Sequence, residues 1–180
     1  MKVSKRAIRL KLYYGESFNM TNATLTETQL RSELGDFNSI ICFRALITGL
    51  EEALGEKAAL ISAIAAGRIR GKNLVAELGL AGQKPALEEA TAAMSQALGK
   101  EGTRLCIIDK IEATDSGYRV YCRETVCSAG EPQGSSRTLS FTLGAVQGAL
   151  ETMMGQRLRG TQVESVLRGG QYDVIELNLR

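Results

Sequence analysis

Histidine is absent from all 180 residues. Its absence excludes a Ser-His-Asp or Cys-His catalytic pair and any His-ligated metal. Cysteine is scarce and scattered: Cys42, Cys106, Cys122 and Cys127 form no CxxC pair. They read as reduced thiols that pack as small hydrophobes, in preference to metal ligands. No apolar run approaches the roughly 18 residues of a membrane span. The opening residues 1–6 lack the apolar stretch of a signal peptide, so the expected location is cytoplasmic. A basic cluster, Lys2, Lys5, Arg6, Arg9 and Lys11, reads as a solvated face, with peripheral contact to a membrane surface or to an acidic partner as the alternative. Excess charge is also missing: the net of +2 gives no drive towards nucleic acid. A phosphate loop is lacking too. Residues 67–72 have the glycines one position too close, and Asn73 stands where Ser or Thr is required.

What is present is helical periodicity interrupted by glycine. Leu139, Leu143, Val146, Leu150 and Met153 recur at helical steps. They predict a helix over 139–154, with Thr138 as N-cap and Gly155 as stop. Gly144 and Gly148 lie on one face of it. Upstream, Leu60, Ile64, Gly67, Gly71, Leu74 and Leu78 predict a long helix over 56–78, again with two glycines on the apolar seam. Each interior glycine costs about 1 kcal/mol relative to alanine. Close approach is the usual compensation. The glycine faces either meet in a tight crossing or stand apart and line a slot for a flat ligand; the spacing leaves both open.

A further helix, capped by Asp36 or Asn38, would bury Phe43, Leu46, Ile47, Leu50 and Leu54. Another begins with Pro85 at its first position and turns Leu87, Thr91, Met94 and Leu98 inward. Strands are expected over 104–112 and 118–124, and a terminal hairpin over 159–179. A three-residue hairpin loop, 168–170, sets Val163 opposite Ile175 and puts Gly170 in the left-handed region. The loop 128–137 reads as mobile. Arg123, Glu124, Glu164 and Asp173 are candidates for a polar site near the sheet, with solvated charge as the simpler reading. Helices first and strands later predict an α+β fold, with an antiparallel sheet of four to five strands and a layer of helices on one face. The expected division is an N-terminal extension, 1–35, with an edge strand around Ile8, Leu10 and Leu12, and a main domain, 36–180.

The order strand, Cys-containing loop, Gly-xxx-Gly helix and Glu-x-x-x-x-Gly hairpin resembles the 4-vinyl-reductase (4VR) domain. The matching residues are Phe141, Gly144, Gly148, Gly155, Glu164, Gly169 and Tyr172, with residues 66–71 resembling the family's upstream glycine helix. The resemblance spans residues 43–179 and implies a fold related to the TRAPP vesicle-transport subunits. Many members carry cysteines in the terminal hairpin, where this chain has Ser165 and Asp173, and another near Leu139 and Ser140.

The resemblance implies a non-enzymatic carrier of a small hydrophobic molecule, with Phe43, Ile47, Gly67, Gly71, Phe141, Gly144 and Gly148 as ligand-binding residues and no catalytic or metal residues. The favoured ligand is a tetrapyrrole such as chlorophyll or a precursor, with a lipid next, which would suit an assembly factor for photosynthetic complexes. Lacking histidine, the chain would need water, a carbonyl, a carboxylate or sulfur as an axial ligand. The alternatives are a vinyl reductase or its accessory subunit, and a TRAPP-like dimeric scaffold. The expected protein partner is a second copy or a related 4VR-domain protein.

Overall fold

The computed structural model describes residues 39–180, which fold as expected into an α+β unit. The elements are α1 (Ile40–Leu54), α2 (Glu56–Glu77), α3 (Leu87–Leu98), β1 (Ile107–Thr114), β2 (Gly117–Arg123), α4 (Phe141–Met154), β3 (Leu158–Glu164) and β4 (Asp173–Leu179). The sheet of the described residues is antiparallel, with four strands in the order β1-β2-β4-β3. The expected extension 1–35, its edge strand, the basic cluster and the Asp36 or Asn38 cap lie outside the described residues.

Strand alternation makes one sheet face apolar. Ile111, Val120, Cys122, Ile175 and Leu177 are buried. The opposite face carries the Arg119–Glu176 pair and the edge-on rings of Tyr121 and Tyr172. The helices pile on the apolar side, with α3 against β1, α4 against the sheet, α2 over α4 and α1 over α2. All of α4 except Phe141 and Thr152 is buried, which makes it the central element.

Helices α2 and α4 run parallel and touch backbone to backbone. A Cβ added at Gly67 would lie 2.1 Å from the Phe141 carbonyl oxygen, and one at Gly71 would lie 2.1 Å from that of Ala145. The reverse face is the same: Gly144 meets the Ile64 carbonyl oxygen at 2.0 Å and Gly148 that of Arg68 at 2.2 Å. The two glycine faces therefore meet, and no slot stands between them. Such approach brings Cα–H groups onto carbonyls and maximises dispersion contact.

One ion pair closes the crossing. Arg68 Nε and Nη2 donate to the two oxygens of Glu151 at 2.6 and 2.8 Å. Glu151 is buried and also accepts from Leu158 N–H and Gln147 Nε2. Burial pushes its pKa up, but these hydrogen bonds outweigh burial and hold it below the usual glutamate value.

Several local expectations need correction. Helix α1 buries no residue: Phe43, Ile47 and Leu50 are half-buried, while Leu46 and Leu54 are exposed, because only one side of α1 meets α2. Its cap is Ser39, whose hydroxyl accepts from Cys42 N–H. Pro85 precedes the Ala86 cap of α3, and Ser140 rather than Thr138 precedes α4. The hairpin is one residue out of the expected register, pairing Gln162 with Ile175. Val163 is squeezed into a bulge, and a short 3-10 turn, Val166–Arg168, occupies the loop. The left-handed glycine is therefore Gly169, at φ 83°.

Gly144→Ala should destabilise the fold by about 3 kcal/mol, since backbone cannot yield to the added methyl. Gly49→Ala, in α1 with nothing within 4 Å of its Cβ, should instead stabilise by up to about 1 kcal/mol. Urea midpoints check both. A lowered folded pKa means that Glu151 contributes its stability above the unfolded value and loses it as pH falls through the folded one. The stability gap between wild type and Glu151→Gln should accordingly shrink on acidification, read from urea midpoints across the acid range.

Candidate functional site

Because the crossing is sealed, open space lies at its ends. At the N-terminal ends of α2 and α4, α1 folds back over α2 through Gly55, at φ 80°, and meets the loop 128–140. Polar contacts fasten it there. Arg137 Nη1 and Nη2 donate to the Glu51 carboxylate at 2.6 and 2.9 Å, and Arg137 Nε lies 3.1 Å from Glu131. Arg44 donates to the Gly130 carbonyl at 3.1 Å. Phe43 and Phe141 meet edge to face, with centroids 5.6 Å apart. The loop expected to be mobile is thus tied down. Arg168 also donates to the Ser135 and Arg137 carbonyls.

Between α1, α2 and this loop lies a cleft of about 340 Å³. Ile47 from α1 and Ala59, Leu60 and Ala63 from α2 supply its apolar wall, while Glu51, Arg137 and the Ser135, Ser136 and Thr138 side form its polar rim. A crevice of about 20 Å³ shares Ile47, Glu131, Arg137 and Ser140 with it and is lined also by Cys127. A space that small holds about one water. The Cys127 thiol lies 3.4 Å from Thr142 Oγ1 and 3.6 Å from Ser140 Oγ.

The structure divides the expected ligand-binding residues. Ile47 lines the cleft, and Phe43 and Phe141 pack together at the α1–α4 contact. Gly67, Gly71, Gly144 and Gly148 stand inside the helix crossing, filled by backbone, so the ligand-facing slot gives way to packing at these positions. The suggested polar site near the sheet does not assemble. Arg123 pairs with Asp109, Glu164 accepts from Tyr172 N–H, and Asp173 turns inward.

Asp173 is one of the two hairpin positions compared above with cysteines of many 4VR members. Its fully buried carboxylate accepts from Thr125 Oγ1 at 2.7 Å, Ser128 Oγ at 2.8 Å, and Gln162 Nε2 and Val166 N–H at 3.2 Å each. Neutral donors satisfy this charge in full, so the carboxylate staples the 125–128 turn to the hairpin. Ser165, the other such position, accepts from Leu167 N–H. Among the described residues no three His, Cys, Asp or Glu side chains gather as a metal site. The Cys122 thiol is pushed up by its hydrogen bond with Cys106 and by burial, which keeps it protonated and unreactive; Cys42 is exposed.

A scan of protein-family models gave no match, and neither did a search of curated proteins. Among solved structures, the chain is similar to the phenol-responsive sensory domain of the transcription activator PoxR, determined with phenol. That likeness has a TM-score of 0.63 at 14% identity, over 80% of this chain and 76% of that one. It establishes the fold. A trafficking protein particle complex subunit 3 from Naegleria fowleri, covalently bound to palmitic acid, gives a TM-score of 0.49 at 13% identity, over 78% of this chain and 92% of that one.

The clamp on α1 escaped sequence reasoning because Glu51 and Arg137 are far apart in the chain and follow no shared period. Arg137→Met should detach α1 without unfolding the core. Hydrogen exchange should speed up for α1 amides while those of α4 remain protected; equal loss in both would show that the clamp holds the whole fold.

Proposed function

We propose that this chain is a non-enzymatic binding module for a small hydrophobic molecule, held in the cleft beneath α1. The observation that carries the reading is the cleft itself. An apolar wall of Ile47, Ala59, Leu60 and Ala63 faces a few placed polar groups, the mix that ligand pockets use for affinity and orientation. Its 340 Å³ sits near the lower end of the roughly 300–1,000 Å³ of small-molecule sites. A single ring or a short acyl chain suits that volume. The PoxR domain, similar in fold, is phenol-responsive, which supports an aromatic ring as the first class to test. A tetrapyrrole, and the photosynthetic assembly role attached to it, requires α1 to lift from α2. The absence of any buried residue on α1 makes that opening inexpensive in apolar contact.

A second reading, the dimeric scaffold, is favoured by one observation. Ile40, Ile41, Leu46 and Leu54 of α1 are 42%, 76%, 60% and 53% exposed. Exposed apolar side chains of this size mark an association surface, and a second copy of the chain would cover them. The two readings are compatible, because Ile47 faces the cleft while Ile41 faces outward.

Phenol, palmitate and a divinyl tetrapyrrole should be titrated by calorimetry, with NADPH added to the last. Saturable binding of at least one, weakened about tenfold by Ile47→Gln and not by the outward Ile61→Gln, is the expected result. No binding by any of them, or indifference to Ile47, would end the carrier reading; NADPH-dependent turnover would replace it with the reductase. Sedimentation should show a dimer that Ile41→Asp converts to monomer.

A further inference from the structure

A second cleft, of about 470 Å³, lies at the opposite end of the α2–α4 crossing and shares no lining residue with the first. Arg68, Lys72, Arg157 and Arg180 line it together with Glu151, the one side-chain carboxylate. Counted over side chains, four cations against one anion is a local excess greater than the net +2 of the whole chain.

The single carboxylate is already spent. Both oxygens of Glu151 are engaged by Arg68, and one of them also accepts from Leu158 N–H and Gln147. The bidentate pair leaves Arg68 Nη1 with no acceptor among the described residues, so the guanidinium is fixed in orientation with donors to spare. Lys72, one helical turn along α2, and Arg157 and Arg180 form no ion pair among the described residues.

The cations are also held in each other's way. Arg68 and Lys72 are spaced i, i+4, where like charges repel. Arg180 N–H donates to the Arg157 carbonyl at 3.1 Å, continuing the β3–β4 ladder past Leu158 and Leu179. Like charges side by side on neighbouring strands are likewise destabilising. The carbonyl end of α4 is not what needs them. Its Glu151, Thr152 and Met153 carbonyls accept from the Gly155, Gln156, Gly82 and Lys84 backbone N–H groups.

We propose that this cleft is an anion site, in which Arg68, Lys72, Arg157 and Arg180 receive a phosphate-bearing molecule. The anion would relieve both repelling pairs at once and take the free donor edge of Arg68. The site is independent of the apolar cleft and of what binds there. The shared chemistry is a phosphoryl group, supplied by a soluble phosphate ester or by a lipid headgroup.

Amide NMR of the full chain should be recorded during titration with inorganic pyrophosphate. In parallel, phosphatidylcholine vesicles with and without phosphatidic acid should be tested by co-sedimentation. Saturable shifts confined to the amides around Lys72, Gln156 and Arg157 are expected, and they should weaken as salt rises. Lys72→Gln and Arg157→Gln, both exposed and free of structural bonds, should each weaken binding about tenfold, while Lys57→Gln in the other cleft should not. Arg68 is left unaltered because it also closes the crossing. Pyrophosphate binding without vesicle binding assigns a soluble phosphate. Co-sedimentation with phosphatidic acid that Lys72→Gln abolishes assigns a headgroup. No saturation with either probe, or shifts spread over all basic residues and indifferent to both variants, overturns the site.

Discussion

The contact between Gly67, Gly71, Gly144 and Gly148 governs this structure. A helix pair separated by ordinary side chains lies about 8–10 Å apart. Here carbonyl oxygens lie 2.0–2.2 Å from where Cβ atoms would be, so the two backbones approach more closely than any side chain would allow. The apolar area that side chains would have buried is replaced by dispersion between main chains. The consequence is rigidity at the middle of the helical layer. Arg68 shows how closely the crossing and the charge network are linked. Its backbone meets Gly144 and Gly148 while its guanidinium holds Glu151 one turn further along α4.

That constraint explains what could be read from the chain and what could not. The seams of α2 and α4 were legible because each faces a continuous partner along its whole length, which preserves the helical repeat. The fold class followed from the order of elements. The choice between crossing and slot was not legible, since glycine on an apolar face satisfies both. Helix α1 misled in a different way. Phe43, Leu46, Ile47, Leu50 and Leu54 have the spacing of a buried face, yet only half of that face finds a neighbour among the described residues. Periodicity reports that a face is apolar and is silent about what covers it. The hairpin shows the same limit at short range. Pairing apolar residues favoured Val163 against Ile175, but a bulge at Val163 let Gln162 take that place. From there Gln162 supports both Asp173 and the Leu139 N–H, a polar gain that apolar matching does not count.

The cleft residues were the least legible part. Helical spacing marked Ile47 only as part of an apolar face, and Glu51, Glu131 and Arg137 carry no signal beyond being charged. Their geometry depends on a loop conformation that arises from distant bonds, including those of Arg168 and of Gly134 N–H to the Leu167 carbonyl. Asp173 belongs with them. A carboxylate in a strand reads as a surface charge until the hydroxyls of Thr125 and Ser128 fold over it. This hydrogen-bonded carboxylate keeps the hairpin tied to the 125–128 turn through neutral donors alone.

The sealed crossing also decides where anything else can bind. Parallel helices in backbone contact leave no interior volume, so space is displaced to the two ends of the pair, and the ends differ in kind. At the start of α2 and α4 the roof is α1, an element fastened by exposed and half-exposed ion pairs, which in water are each worth little. At the finish the walls are the middle of α2, the end of α4 and the last strand pair, whose backbones are fixed by main-chain hydrogen bonds. The first cleft can therefore change size at small cost in free energy, and the second cannot. On the two proposals, a ligand of variable shape goes under α1, and a compact charged group goes beside Arg68, whose guanidinium the bidentate pair with Glu151 orients.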